Sequence, residues 1–206
     1  MSINYSVTAI GVMILQGAVN VFGSSAVAAI AAASKVETLA TQTMPTLGTT
    51  MSTYCGQNLG AKKYDRIFDG MKKAFFLVLA ISVLGAIISA GFGKYIVCWF
   101  LSEPSELVLD YATTYLHTVS WFFIPLAMIF LYRSALQGLD QTLVPVMSGI
   151  LELVFRFLVI TFCLTPFGYT AVCYASPAAW IGAGFPLLIT YLLWKRKIQL
   201  QQISEN

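Results

Sequence analysis

The chain contains several long stretches without a charged side chain. Residues 1–34, 74–93 and 157–194 carry no Asp, Glu, Lys or Arg, and residues 111–132 have only His117 as a basic group. A helix needs about 20 mostly apolar residues to cross the hydrocarbon layer of a bilayer. The composition agrees, because 58% of the 206 residues are hydrophobic and 10% are charged, whereas a soluble domain has roughly 25% charged residues. The sequence therefore predicts an all-α, polytopic membrane protein.

We predict six membrane-spanning helices that form a single lobe over residues 1–197, followed by a cytoplasmic tail over residues 198–206. Pro45 should bend the second span, because proline cannot donate a backbone hydrogen bond within a helix. Prolines also lie in the fourth, fifth and sixth spans, as in transporters whose broken helices line cavities. The six predicted spans cover residues 4–22, 26–57, 74–95, 111–131, 143–164 and 171–194.

Basic residues are concentrated on one predicted face of the membrane. Since Lys and Arg accumulate in cytoplasmic loops, this face should be cytoplasmic, with both termini on that side. We expect the basic run that ends at Lys73 to form a helix on the membrane surface. Nine of the twelve Lys and Arg residues belong to this face: Lys62, Lys63, Arg66, Lys72, Lys73, Arg133, Lys195, Arg196 and Lys197.

Four charged residues fall inside predicted spans: Lys35, Glu37, Glu152 and Arg156. A charge at bilayer depth costs about 2.5–3.5 kcal/mol, so it usually has a partner, faces a cavity or has a function. Lys35 lies close enough to the outer interface to extend its ammonium group into water. Glu152 and Arg156 are four residues apart and share one helix face. They form either a proton or cation relay or a structural ion pair.

Glu37 lies on the same face of the second span as a row of small residues that includes Thr41. It could exchange protons during transport, or it could be a hydrogen-bonded structural group. His117 has the same two interpretations, since histidine titrates near neutral pH. Gln16 and Asn20, at positions i and i+4 of the first span, either join helices or line a substrate cavity.

The sequence shows no pattern typical of an enzyme, a metal site, an organic cofactor or nucleic-acid binding. The chain has no nucleophile elbow and no phosphate-binding glycine loop. Its four cysteines lack the spacing of metal ligands, and we interpret them as small apolar residues of the helices. The aromatic content of 14% suits a cavity for flat cationic or lipophilic compounds.

Several short motifs together resemble the MATE (multidrug and toxic compound extrusion) family. Residues 54–61, Tyr-Cys-Gly-Gln-Asn-Leu-Gly-Ala, are similar to the signature that closes the second helix of a MATE lobe. Residues 131–139 resemble the turn after the fourth helix, and residues 148–156 resemble the fifth. Residues 19–29 and 177–180 fit the start of a lobe and its sixth helix. The motifs occur in the family's order over nearly the whole chain, and the similarity is strongest to the C-terminal lobe of bacterial members.

The resemblance implies an efflux protein of the bacterial plasma (inner) membrane that exchanges Na⁺ or H⁺ for organic cations or drugs by alternating access. Family members have two six-helix lobes, so a second copy or a separate N-terminal lobe would complete the transporter. The alternatives are a truncated, non-transporting fragment, which the late start of the first helix favours, or a flippase for lipid-linked oligosaccharides. Some members carry cation-binding carboxylates on the first and fourth helices of this lobe, where this chain has Gln16, Asn20 and His117. Gln16, Asn20 and Glu37 are therefore the expected cavity-facing residues.

Overall fold

A computed structural model describes residues 2–101 and 105–204, and within them the chain forms eight α-helices and no β-strand. The all-α membrane bundle predicted from the sequence is confirmed. The helices are α1 (Ser2–Asn20), α2 (Gly23–Thr41), α3 (Thr43–Gly60), α4 (Tyr64–Phe100), α5 (Glu106–Ser120), α6 (Phe123–Gly138), α7 (Leu143–Phe167) and α8 (Tyr169–Ser204).

Helix α4 shows why the bundle requires lipid. Its buried residues recur every three or four positions, from Ile67 through Ser82 to Val97, and so form one stripe that packs on the other helices. Large apolar side chains cover the remaining surface, and Leu84 and Phe92 are each 59% exposed. A contiguous apolar surface of this kind marks contact with a membrane rather than with water.

Three helices, α4, α7 and α8, are long and apolar enough to cross a bilayer. The α5–α6 pair passes the same test as one span bent by 53°, and α1 contributes a shorter apolar stretch, Ala9–Asn20. The predicted total of six spans remains a prediction, because the α2–α3 segment is rich in hydroxyl groups and carries Lys35 and Glu37.

Two of the predicted spans are broken near their middle. The second breaks at Gln42, where α2 ends and α3 begins, and the fourth breaks at Trp121 and Phe122. The interruption at Gln42 lies three residues before Pro45, in the segment where the sequence predicts a bend. Pro45 and Pro125 are each the third residue of a helix. Proline has no N–H group to donate to the carbonyl four residues earlier, so it is tolerated in the first turn of a helix. Helix α8, in contrast, continues through both of its internal prolines.

The two broken segments pack side by side, α2 on α5 and α3 on α6, and α4 contacts all four helices. Small residues allow the close approach of α3 and α6. A side chain at Gly48 would lie 2.8 Å from the carbonyl oxygen of Phe130, and one at Gly138 would collide with the backbone of Ser52. Helix α7 packs on α8 and α1 and closes the other side of the bundle.

The structure corrects two sequence predictions about the basic face. The run that ends at Lys73 does not form a separate surface helix, because residues from Tyr64 onward belong to the continuous 37-residue helix α4. Arg133 does not belong to the exposed basic face, since its guanidinium pairs with Glu152 of α7 and its side chain is only 15% exposed. In the predicted tail, residues 198–204 extend α8, while residues 205–206 lie outside the described part of the chain.

Candidate functional site

Glu37 and Tyr115 form a hydrogen bond inside the bundle. The Tyr115 hydroxyl, on α5, donates to Glu37 Oε2, on α2, over 2.8 Å. Tyr115 is buried and Glu37 is partly buried. The Glu37 carboxylate is thus held inside the bundle by a hydroxyl group from another helix, 78 residues further along the sequence.

A second carboxylate, Glu152 on α7, binds two arginines. Its Oε2 lies 3.2 Å from Arg133 Nη2, on α6, and its Oε1 lies 3.5 Å from Arg156 Nη2, one helical turn away on α7. Arg133 Nε also donates to Ser148 Oγ over 3.1 Å. The predicted pairing of Glu152 with Arg156 is confirmed. All three charged side chains are at most 15% exposed, so solvent screens this cluster little.

Arg156 lies between α7 and α1. It is 5% exposed, and a side chain at Gly11 would lie 2.5 Å from Arg156 Nη1, so the guanidinium packs on the backbone of α1. Arg156 pairs with Glu152 and lies within electrostatic range of Glu37, with which it forms no ion pair among the described residues. Within the same residues its Nε has no hydrogen-bond acceptor. Arg156 is therefore held by one acid and keeps one donor without a partner.

The four charges of this cluster, Arg133, Glu152, Arg156 and Glu37, balance when Glu37 is ionised. If Glu37 binds a proton or a metal cation, one positive charge of the cluster loses its counterpart. Because charges in a low-dielectric interior interact strongly, such a change alters the electrostatic balance of the cluster.

The other residues singled out from the sequence lie apart from this cluster or only at its edge. Gln16 and Asn20 are exposed on α1, and His117 is exposed on α5 although Tyr115, two residues earlier, is buried. The Thr41 hydroxyl donates to the backbone oxygen of Glu37 over 2.8 Å. Gln16, Asn20 and His117 could reach a ligand only at the surface of the lobe.

Sequence reasoning missed Arg133 and Tyr115 as parts of the site. Arg133 follows an apolar run, which made it resemble a residue of the basic rim. The sequence did contain an indication, since Arg133 lies within residues 131–139, the motif at the end of the fourth predicted span. Tyr115 carries no comparable signal, because one tyrosine in an apolar helix looks like any other aromatic residue. In the part of the chain that is described, no three His, Cys, Asp or Glu side chains are grouped closely enough to hold a metal ion.

The MatE family model matches residues 1–162, which is more than half of the chain. The chain belongs to the MatE family. Within this family, the fold is similar to that of solved transporters. The Vibrio cholerae MATE transporter VcmN in its bent form is 22% identical, with a TM-score of 0.85, and the match covers 96% of this chain and 45% of VcmN. Comparison with curated proteins gives no significant match.

Two further structures support the same fold. An outward-facing multidrug resistance MATE family transporter of the MOP superfamily is 14% identical with a TM-score of 0.80, and the match covers 100% of this chain and 45% of that protein. A MOP superfamily transporter from Pyrococcus furiosus is 15% identical with a TM-score of 0.79, with 93% and 42% covered. The MatE chain spans less than half the length of the solved proteins that it matches.

Proposed function

We propose that this MatE chain is one lobe of a membrane efflux transporter that exchanges Na⁺ or H⁺ for organic cations or drugs by alternating access. The observation that carries the proposal is the charge cluster around Arg156, which lies inside a bundle with the fold of a MATE transporter half. Charged groups at membrane depth are costly to bury and characteristically mark ion pathways. The bilayer and small organic cations are the partners that this function implies.

Glu37 is the proposed site of the coupling ion. In its ionised form it attracts Arg156 and accepts the hydrogen bond from Tyr115. When it binds the ion, Arg156 is left with Glu152, which Arg133 already holds. The cluster then carries one uncompensated positive charge. An energy difference of about 5.5 kcal/mol reverses a conformational equilibrium from 1:99 to 99:1, and the unbalanced charge contributes to that difference.

A second six-helix lobe completes the transporter in this proposal, as a separate N-terminal lobe or as a second copy of the chain. A symmetric dimer is geometrically permissible, because the same surface can pair with itself across a two-fold axis. Gln16 and Asn20 are exposed on α1 and are available to line the cavity between two lobes.

We place the protein in the bacterial inner membrane with both termini cytoplasmic. After Arg133 is assigned to the interior, eight of the twelve Lys and Arg residues still belong to one face of the membrane. Lys94, at the far end of the uncharged part of α4, belongs to the opposite face. Even without Arg133, the charge asymmetry therefore supports a cytoplasmic location for the basic face.

Ethidium efflux from proteoliposomes tests the proposal. We expect the chain to drive efflux under an Na⁺ or H⁺ gradient, either alone as a dimer or only together with a second lobe. Size measurement in detergent distinguishes these two arrangements. Absence of gradient-dependent efflux in both settings would contradict the proposal.

A pair of variants then locates the coupling site. Glu37→Gln should lose the gradient dependence of efflux, because the amide cannot bind the ion. Glu106→Gln is the matched control, since Glu106 is exposed at the start of α5. Unchanged gradient-driven efflux in Glu37→Gln would refute the assignment of Glu37.

A further inference from the structure

The end of α8 carries a groove that combines apolar and basic side chains. The groove measures about 490 Å³, and Leu193 and Leu200, both more than half exposed, form its apolar part. The lining residues follow the helical period, so they lie along one side of α8. They are Leu193, Arg196, Lys197, Leu200, Gln201 and Ser204.

The groove lies at the edge of the membrane. From Tyr169 to Trp194 helix α8 carries no charge, a length of about 39 Å that exceeds the roughly 30 Å of a hydrocarbon core. Trp194 packs edge-on against Phe68 of α4, with ring centroids 6.2 Å apart. Aromatic residues concentrate at the boundary between lipid and water. Arg196, just beyond this contact, is therefore at the depth of the lipid headgroups.

Arg196 and Lys197 are free to bind a ligand, unlike Lys195. Lys195 Nζ lies over the Phe68 ring, 5.3 Å from its centroid. Within the described residues neither Arg196 nor Lys197 forms an ion pair, and both side chains are exposed. Two cations beside exposed leucines thus remain uncompensated at the membrane edge.

The cations at the end of α8 have no acid among them. Residues 195–204 contain three basic residues and no acid. At the start of α4, residues 62–73 have the same net charge, but Asp65 and Asp69 lie among the basic residues, and Asp69 Oδ2 is 4.0 Å from Lys73 Nζ. The two segments therefore differ in the acids that accompany the cations and not in net charge.

We propose that this groove binds an anionic phospholipid, such as phosphatidylglycerol. Arg196 and Lys197 hold its phosphate, since both residues donate charge-assisted hydrogen bonds to phosphate oxygens. Gln201 and Ser204 face the polar headgroup, and the acyl chains run along the exposed Leu193 towards the hydrocarbon core. A soluble phosphate compound would use the cations but not the leucine, so the phospholipid is the ligand that matches both parts. The proposal does not depend on the proposed transport function.

Native mass spectrometry of the purified full chain tests this proposal, with phosphatidylglycerol and phosphatidylcholine added at equal concentrations. We expect the wild type to retain phosphatidylglycerol preferentially. A charge-assisted hydrogen bond changes affinity by about tenfold or more, so Arg196→Gln with Lys197→Gln should weaken phosphatidylglycerol binding by at least about tenfold. Leu193→Gln should weaken binding of both lipids without removing the preference.

The matched control is Lys62→Gln with Lys63→Gln, which removes the same charge from the α3–α4 turn on the same face. This pair should change phosphatidylglycerol binding less than twofold. Equal losses in the two double variants would overturn the proposal, because the attraction would then be a general surface effect. Retained preference in the Arg196/Lys197 variant, or displacement of the lipid by millimolar glycerol phosphate, would overturn it as well. Size-exclusion profiles confirm that each variant is folded.

Discussion

Replacing Glu152 by Gln should be among the most damaging single changes to the stability of this protein. Glu152 is the only acid in contact with both Arg133, at 3.2 Å, and Arg156, at 3.5 Å, among the ion pairs of the described residues. A neutral amide at this position leaves two guanidinium groups side by side in the interior. Among the described residues Glu37 forms no ion pair with either of them, so both guanidinium groups lose their carboxylate.

The expected magnitude follows from the burial of the cluster. Breaking a buried ion pair costs about 3–5 kcal/mol, largely because the remaining charge is unpaired. The side chains of Arg133 and Arg156 are 15% and 6% exposed, so water screens them little. For a domain of 150–250 residues, each kcal/mol lowers the melting temperature by about 2–4 °C. Applied to this chain, that relation gives a loss of about 6–20 °C.

A thiol-reactive fluorogenic dye measures the transition in detergent, because Cys55 and Cys173 are buried and become reactive on unfolding. A background with Cys98→Ser and Cys163→Ser removes the signals of the exposed and the half-buried thiol. Asp69→Asn is the matched control, since it removes the acid of an exposed pair at the same spacing, Lys73–Asp69. If Glu152→Gln melts within one degree of this control, the arginines do not depend on Glu152 and the description of the cluster is wrong.

Two further predictions concern the packing of the lobe and its orientation. Gly138→Ala should destabilise the protein by about 1–3 kcal/mol through overpacking, because the added carbon meets the backbone of α3. Gly60→Ala is the control, since a side chain at Gly60 enters open space and should have little effect in the same dye assay. In intact cells a membrane-impermeant maleimide should label Cys98, which is exposed near the end of α4 opposite the basic face. The buried Cys55 should not react. Labelling of Cys98 only after permeabilisation would show that the protein has the opposite orientation.

The sequence contains most of the information about the helices. Uncharged stretches of about 20 residues locate α4 and α8, and an apolar stretch interrupted only by Glu152 and Arg156 locates α7. In lipid, no other backbone structure except a closed barrel satisfies its hydrogen bonds. The pairing of Glu152 with Arg156 could also be predicted, because a spacing of four places both on one helix face. Pro45 and Pro125 mark the broken segments. The same reasoning fails for Pro177 and Pro186, because α8 continues through both without a break.

The contacts that assemble the charge cluster could not be predicted in the same way. The bond from Tyr115 to Glu37 joins α5 to α2, and the ion pair from Arg133 to Glu152 joins α6 to α7. These pairs depend on how the helices are rotated and stacked, which periodicity within one helix does not determine. Arg133 is an example. Its place in the sequence, just after the fourth predicted span, indicates a residue of the basic face. In the structure its side chain instead pairs with Glu152 inside the bundle.

The dependence of thermal stability on the coupling ion tests the central claim, that Glu37 is the ion-binding carboxylate, most directly. A ligand that binds only the folded state stabilises it by about 2.7 kcal/mol at one hundred times its dissociation constant. We expect the melting temperature of the wild type and of Glu106→Gln to change when Na⁺ replaces choline or when pH is varied. Glu37→Gln should lose that response. An equal response in Glu37→Gln, or none in the wild type, would contradict the account.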